Sequence, residues 1–233
     1  AASDRIRSFP LFYSKKNRGF IITDQVNNIN DDLYINGVSA YEFMHTGYVT
    51  GRNTLLDNIF QVQAGEYVCI RSSKITTKQY YSFMHLIDKS KDYLYYKTEL
   101  KKTVDNIFKR LISTTKGKPL VVPLSGGLDS RLIISNIHKL GVKDVICYSY
   151  GLANSAEARV SKNIAADFGY KWYFVNYGNK KWKRWYFSEL RQKYFRFSGN
   201  ISSLPHIQDW PAVWELKEKN LILNNSIFIP GHT

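Results

Sequence analysis

Apolar and polar positions along the 233 residues fall into three zones with different periods. From Ala1 to about Asp88 the apolar residues come in short runs broken by polar turns, the mark of strands. PLFYS, the polar KKNR and GFIITD spell a hairpin, and GEYVCIRSSKITTKQYYSF spells a second that turns at Ser72–Ser73. Between them, VSAYEFMHTGYV has a helical pattern and NTLLDNIFQV predicts a short amphipathic turn. From about Asp92 to Lys116 the period changes. Leu94, Leu100, Val104, Ile107, Phe108, Leu111 and Ile112 recur at spacings of three, four and seven, which predicts one helix with a buried stripe. Gly117 and Pro119 end it.

The third zone opens with PLVVPL, an apolar run suited to a strand buried on both faces. SGGLDS follows, then RLIISNIHKL at helical spacing with Gly141 as its stop. KDVICYSYG predicts a second buried strand, SAEARVSKNIAADFG a second helix stopped by Gly169, and YKWYFVNYG a third strand. The order β-loop-α-β-α-β implies an α/β fold with a doubly wound parallel sheet, preceded by a smaller, mostly β region. The expected domains are residues 1–90 and 91–233.

SGGLDS carries the chemistry. A helix start exposes unpaired N–H groups and the positive end of the dipole, so an anion settles there. Gly126 and Gly127 let the backbone approach that anion closely. Ser125 and Ser130 add hydroxyl donors, and Asp129, which cannot favour a bare phosphate, suits Mg²⁺. The competing reading is a serine-glycine turn that only caps a helix. No G-K-[ST] follows, so the loop is not a Walker P-loop, and it lacks the G-x-G-x-x-G spacing of dinucleotide folds.

Charge and composition fit an anion-binding role without defining it. Lys and Arg number 33 against 19 Asp and Glu, a formal net charge of +14. Such a surface draws nucleotides, phosphates, nucleic acid or acidic membranes. The two cysteines, Cys69 and Cys147, lie in strand-like stretches without metal spacing and are expected to be buried free thiols in a reducing cytosol. No apolar run is long enough to span a membrane, and Ala1–Pro10 has no apolar core of a signal peptide.

SGGLDS resembles the PP-loop of the N-type ATP pyrophosphatases, specifically the asparagine synthetase family. Tyr148-Ser149-Tyr150-Gly151 is similar to the family's segment for adenine and ribose, and Asn154–Ala158 with VSKNIAADFGYKWYFV to its following helix and strand. That likeness covers about Lys118 to Tyr177. Upstream, PLFYSKKNRGFIITD, TGYVTGRNTLLDNIFQVQAGEYVCI and Gln79-Tyr80-Tyr81 resemble the end of the family's glutaminase domain.

The resemblance implies an adenine nucleotide alpha-hydrolase-like, Rossmann-like fold. It also implies ATP and Mg²⁺ as cofactors and an ATP-dependent, amide-forming ligase or amidotransferase of amino-acid-biosynthesis type. Leu124, Ser125, Gly126, Gly127, Asp129 and Ser130 would hold pyrophosphate, with Asp129 on Mg²⁺, and Ser149 and Gly151 would meet the nucleoside. A small carboxylate would be activated as an acyl-adenylate and a nitrogen donor would displace AMP. The implied setting is cytoplasmic, with no membrane or nucleic-acid partner and a homodimer as one option.

The sequence departs from the family at both ends. The family's glutaminase uses an N-terminal cysteine, whereas this chain starts Ala1-Ala2-Ser3-Asp4, so glutamine hydrolysis is not expected of it. NLILNNSIFIPGHT matches a later strand and the start of its loop, and the family's catalytic lysine falls beyond it, as in a chain truncated there. No carboxylate stands at Arg196–Asn200, where the family positions its amino-acid substrate. Two further functions therefore stay open, a degenerate nucleotide-binding homologue and a PP-loop RNA-modifying protein. KKWKRWYF (180–187) could stack on nucleic-acid bases or meet an acidic glycan or nucleotide sugar. The favoured reading is an amphipathic helix with Trp182, Trp185 and Tyr186 on one face. In the family this region packs over the substrate side, which His206, Asp209 and Trp210 could also line, with a structural role as the favoured reading for each.

Overall fold

The computed structural model describes residues 1–16, 19–29, 34–72 and 74–231. Parts of the turns expected at KKNR and Ser72–Ser73, and the last two residues of the closing loop, lie outside them. The chain divides into two units, Ala1–Leu86 with Ser188–Pro205, and Ile87–Phe187 with His206–Thr233.

The first unit is built on the two expected hairpins. β1 (Phe12–Lys16) pairs antiparallel with β2 (Gly19–Thr23), and β4 (Glu66–Arg71) with β5 (Lys74–Gln79). Asn36 caps α1 (Gly37–Thr46) by accepting the Ser39 N–H at 2.9 Å, and Gly47 ends it in the left-handed region. The amphipathic turn expected in NTLLDNIFQV is instead a strand, β3 (Ile59–Gln61), on the free edge of β1. Ile59 and Gln61 point inward and Phe60 outward, so pairing with β1 overrides the local spacing. Phe12, Val26, Ile29 and Ile59 close one small core, and Tyr13, Val62 and Val68 another.

A helix from late in the chain, α6 (Glu189–Gly199), completes this unit. Asn200, just after it, accepts the Val26 N–H at 3.1 Å and donates to the Asp24 carbonyl. Val49 and Leu55 donate their N–H groups to the carbonyls of Ser202 and Ile201. These bonds satisfy backbone that would otherwise be stranded.

Glu66 is the buried charge of this unit. Burial pulls its carboxyl upward, but the Arg52 guanidinium and the Gln63 N–H outweigh that and hold it below its ordinary value of 4.5. A depressed carboxyl contributes stability above its unfolded-state value and loses it as pH falls through the folded value. Melting of the first unit is therefore expected to shift to lower temperature as pH drops below about 4.5. Circular dichroism of Glu66→Gln checks this, because the variant should show a flatter acid limb.

The second unit carries the expected β-α-β-α-β order. β6 (Leu120–Pro123), β7 (Val145–Gly151), β8 (Lys171–Asn176) and β9 (Ile227–Phe228) form one parallel sheet in the order β8-β7-β6-β9. Alternation along β6 sends Leu120 and Val122 to one face and Val121 to the other. On the first face they meet α2 (Tyr93–Thr115), α3 (Leu128–Lys139) and α4 (Ala156–Asp167) through Phe108, Ile134, Ile137 and Ala165. On the second, Val121, Tyr148 and Val175 meet Ala212 and Leu216 of α7 (Trp210–Glu218). The sheet is thus covered on both faces, as its apolar strands require. Cys147 is buried in the first core, where desolvation pushes its thiol up to about 12, while Cys69 is only half-buried; both are free.

The stripe on α2 is buried over only half its length. Val104, Phe108, Leu111 and Ile112 pack on the core, but Leu94 and Leu100 are each 65% exposed. A helix of 23 residues is about 35 Å long, and it outruns the strands it covers. α5 (Asn179–Tyr186) is the amphipathic helix expected from KKWKRWYF. Trp185 is fully buried and packs at a tilt between Trp182 and Trp210, whereas Tyr186 is 42% exposed.

Candidate active site

β7 and β8 lie to one side of β6 and β9 to the other, so the chain reverses direction across the sheet at β6. In open parallel sheets ligands bind where strand order reverses, beyond the carboxyl ends of the strands. The Ser125–Ser130 loop leaves β6 at that point. A cavity of about 370 Å³ opens there, bounded by Leu124, Ser125, Gly127, Asp129 and Ser130 on the loop side.

The loop is shaped by contacts within six residues. The Ser130 hydroxyl accepts the Ser125 N–H at 3.1 Å and lies 3.0 Å from the Ser125 hydroxyl. The Ser125 hydroxyl accepts the Gly127 N–H at 3.1 Å. The two serines thus hold one another, and Gly127 becomes the N-cap of α3 without any side-chain cap. The N–H groups of the first turn, Leu128 to Ser130, have no acceptor inside the helix. Asp129 is exposed in that turn and borders the cavity.

Each sequence-expected residue has a definite place. Leu124, Ser125, Gly127, Asp129, Ser130 and Ser149 line the cavity. Gly126 is packed against α4, where a Cβ would sit 3.6 Å from Glu157 Cγ. Gly151 is not part of the lining; its carbonyl accepts the Tyr177 N–H at 2.7 Å. The Ser149 hydroxyl is engaged inside the protein, donating to the Leu124 carbonyl at 2.6 Å, accepting from Trp172 Nε1 at 3.1 Å and lying 2.7 Å from the Ser161 hydroxyl. It braces the loop on β7 from beneath.

The opposite wall comes partly from the Tyr148–Gly151 segment expected to meet adenine and ribose and partly from residues to which the sequence gave other roles or none. Tyr148, Tyr150, Glu157, Gln208, Asp209 and Gly231 line it. Asp209 opens α7 yet makes no capping bond; its carboxylate lies 3.5 Å from His206 Nδ1. Burial, then a hydrogen bond to Asp209, raises the Tyr150 hydroxyl above its ordinary range. Tyr150 stacks on Tyr177 at 5.0 Å, and the Tyr177 hydroxyl donates to the Gln208 carbonyl and accepts the Ala212 N–H. Arg196–Asn200, by contrast, belongs to the first unit and takes no part in this cavity.

Gly231, after β9, crosses the start of α3. A Cβ at that position would lie 3.1 Å from the Ser130 nitrogen and 3.5 Å from the Asp129 carbonyl carbon. These contacts are with backbone, so nothing yields cheaply, and the methyl would cover an N–H that an anion needs. Losing one charge-assisted hydrogen bond costs about 1.5–3 kcal/mol. Gly231→Ala is therefore expected to weaken binding of any phosphate-bearing ligand that this amide holds at least about tenfold, measured by titration calorimetry.

The charged side chains that line the cavity among the described residues are all carboxylates, Asp129, Glu157 and Asp209. An anion held there must be met by the amides of α3 and by a cation that it brings with it. Asp129 offers that cation an oxygen ligand of the kind Mg²⁺ takes.

The structure of NH3-dependent NAD synthetase from Campylobacter jejuni subsp. jejuni NCTC 11168, in complex with the nitrate ion, is similar at 14% identity and a TM-score of 0.41. The alignment spans 58% of this chain and 56% of that one, so the match takes in little more than half of each. Among curated proteins none matches the chain. The asparagine synthase family model matches residues 100–185, which include β6, the Ser125–Ser130 loop, α3, β7, α4 and β8. This segment is an asparagine-synthase-like PP-loop domain.

Proposed function

We propose that the second unit binds ATP as its magnesium complex and belongs to an ATP-dependent, amide-forming ligase. The observation that carries this reading is the loop at the strand-order reversal: the start of α3, whose first-turn amides have no acceptor inside the helix, two mutually braced serines and an exposed Asp129 on one cavity. Asp129 would hold Mg²⁺, which supplies positive charge against the phosphates. The amides of residues 128–130 would receive the pyrophosphate end, and Tyr148 and Tyr150 would face the nucleoside. In the proposed reaction a small carboxylate attacks the α-phosphorus to give an acyl-adenylate, pyrophosphate leaves into the loop, and a nitrogen donor then displaces AMP. Fixed amides aimed at the departing charge would lower the barrier, because they need no reorganisation as that charge develops.

The glutaminase-like reading of residues 1–90 is part of the same proposal. The domain match and the likeness of SGGLDS to a PP-loop support the ligase class. A second reading, nucleotide binding without chemistry, is favoured by a lining whose charged side chains among the described residues are all carboxylates. Calorimetry with ATP tests the shared step. Binding that appears with Mg²⁺ and is lost with EDTA is expected, and no binding in either condition overturns both readings. Exchange of labelled pyrophosphate into ATP, run across a panel of carboxylic acids, then separates ligase from binder.

A further inference from the structure

A second cavity, of about 340 Å³, lies wholly within the first unit, where the start of α1 meets the turn before β3. Asn36, Asn53, Asp57, Asn58 and Phe60 line it, together with Thr54. Its size falls at the small end of the range for small-molecule sites.

Hydrogen bonds fix its shape. Thr54 is fully buried, donates its hydroxyl to the Ile59 carbonyl at 2.9 Å and accepts the Leu56 N–H at 3.2 Å. The Asn36 N–H donates to the Leu55 carbonyl at 3.0 Å, and the Asp57 N–H to the Tyr34 carbonyl at 2.9 Å. Asn36 Oδ1 caps α1 while its Nδ2 donates to Asp57 Oδ1 at 2.8 Å. The carboxylate is thus oriented, and its Oδ2 receives no hydrogen bond among the described residues. The side-chain amides of Asn53 and Asn58 are likewise unspent there. Phe60 adds an aromatic ring. Tyr13, its partner across β1 and β3, stacks on that ring with centroids 5.6 Å apart, and 36% of Phe60 stays open.

We propose that this cavity binds a neutral sugar unit. The donor and acceptor set selects this chemistry. An Asn side chain offers N–H donors and a carbonyl acceptor together, and an ionised carboxylate offers acceptors alone. Sugar hydroxyls both donate and accept, so they use each of these groups. An anion would meet Asp57, the only charged side chain among the described lining residues, and be repelled. The C–H face of a sugar ring suits the negative face of an aromatic ring such as Phe60. A turn by itself accounts for Asn58, whose φ of 61° is one that Asn tolerates. It does not account for an oriented carboxylate, a second unspent amide at Asn53 and a backed aromatic ring around one cavity. The proposal is independent of the nucleotide reading of the second unit.

Saturation-transfer difference NMR of the full chain with glucose, galactose, mannose and N-acetylglucosamine tests it. Transfer to at least one sugar is expected, and added inorganic phosphate should leave the signal unchanged. Asn58→Gly keeps the left-handed backbone without strain and removes one amide, so it should weaken binding about fivefold. Asp57→Asn should weaken it about tenfold. Phe60→Leu keeps an apolar side chain on β3 but removes the ring, and should abolish transfer. Circular dichroism confirms that each variant is folded; if Phe60→Leu fails to fold, Asn58→Gly and Asp57→Asn still decide the question. No transfer to any of the four sugars overturns the proposal. So does transfer that every folded variant retains at parent strength, or that inorganic phosphate displaces.

Discussion

Replacing Asp129 by asparagine is expected to weaken MgATP binding by a factor of roughly 10–100, the loss of one or two charge-assisted contacts, while leaving the melting temperature unchanged. The side chain is exposed, so apart from its place at the start of α3 folding should depend on it by no more than about 0.5 kcal/mol. The magnesium-free control makes this sharp. Without the cation, Asp129 only repels the phosphates, and its neutral replacement should bind bare ATP at least as well as the parent protein does. If Asp129 served only the α3 dipole, the substitution would cost about 0.3–1 kcal/mol of stability and would improve ATP binding with or without Mg²⁺. Opposite signs in calorimetry with and without the metal therefore separate a metal ligand from a helix-end charge.

Gly65→Ala is expected to unfold the first unit at much lower temperature. Gly65 has φ +65°, and a Cβ there would stand 2.5 Å from the Tyr81 carbonyl oxygen. The position is also fixed by bonds on both sides, its N–H to the Asp4 carbonyl and its carbonyl to the N–H groups of Tyr80 and Tyr81. The left-handed conformation alone costs a side chain about 1–2 kcal/mol, and forcing an extra carbon into packed backbone adds about 1–3 kcal/mol. A loss of roughly 2–5 kcal/mol is a large share of the stability of a small domain. The tryptophans offer a selective readout, because all five lie in the second unit. Far-ultraviolet circular dichroism should show a new early transition while tryptophan fluorescence still melts where it did. A parent-like melt by both probes would show that the backbone at Gly65 relaxes freely.

The elements of the second unit were legible in the chain because they follow one another in it. The strand, loop and helix around SGGLDS are consecutive, and the bonds that shape the loop join residues no more than five apart. Apolar spacing and the glycine stops at Gly141 and Gly169, both left-handed, set the helix ends in the same local way. Where two local signals competed, spacing failed. Ile59–Gln61 has the apolar rhythm of a helical turn, yet it became a strand because the edge of β1 offers backbone partners from far up the chain. The upstream half of α2 fits its buried stripe in sequence but has no sheet beneath it.

What the sequence alone determined is the loop half of the proposed site. Its geometry is written in one hexapeptide and in the strand and helix that flank it, since a helix start needs no distant residue to expose its amides. Only the tertiary structure decided what faces that loop. Gly231, Asp209 and Glu157 reach the cavity from three different elements, and no spacing between them announces it. The same holds for the return of residues 188–205 to the first unit, fixed by bonds such as Asn200 to Val26 across 174 positions. Local rules fix which backbone groups are satisfied within a helix or turn. Which distant groups satisfy the rest is settled by packing, once buried polar atoms must find partners wherever the folded chain supplies them.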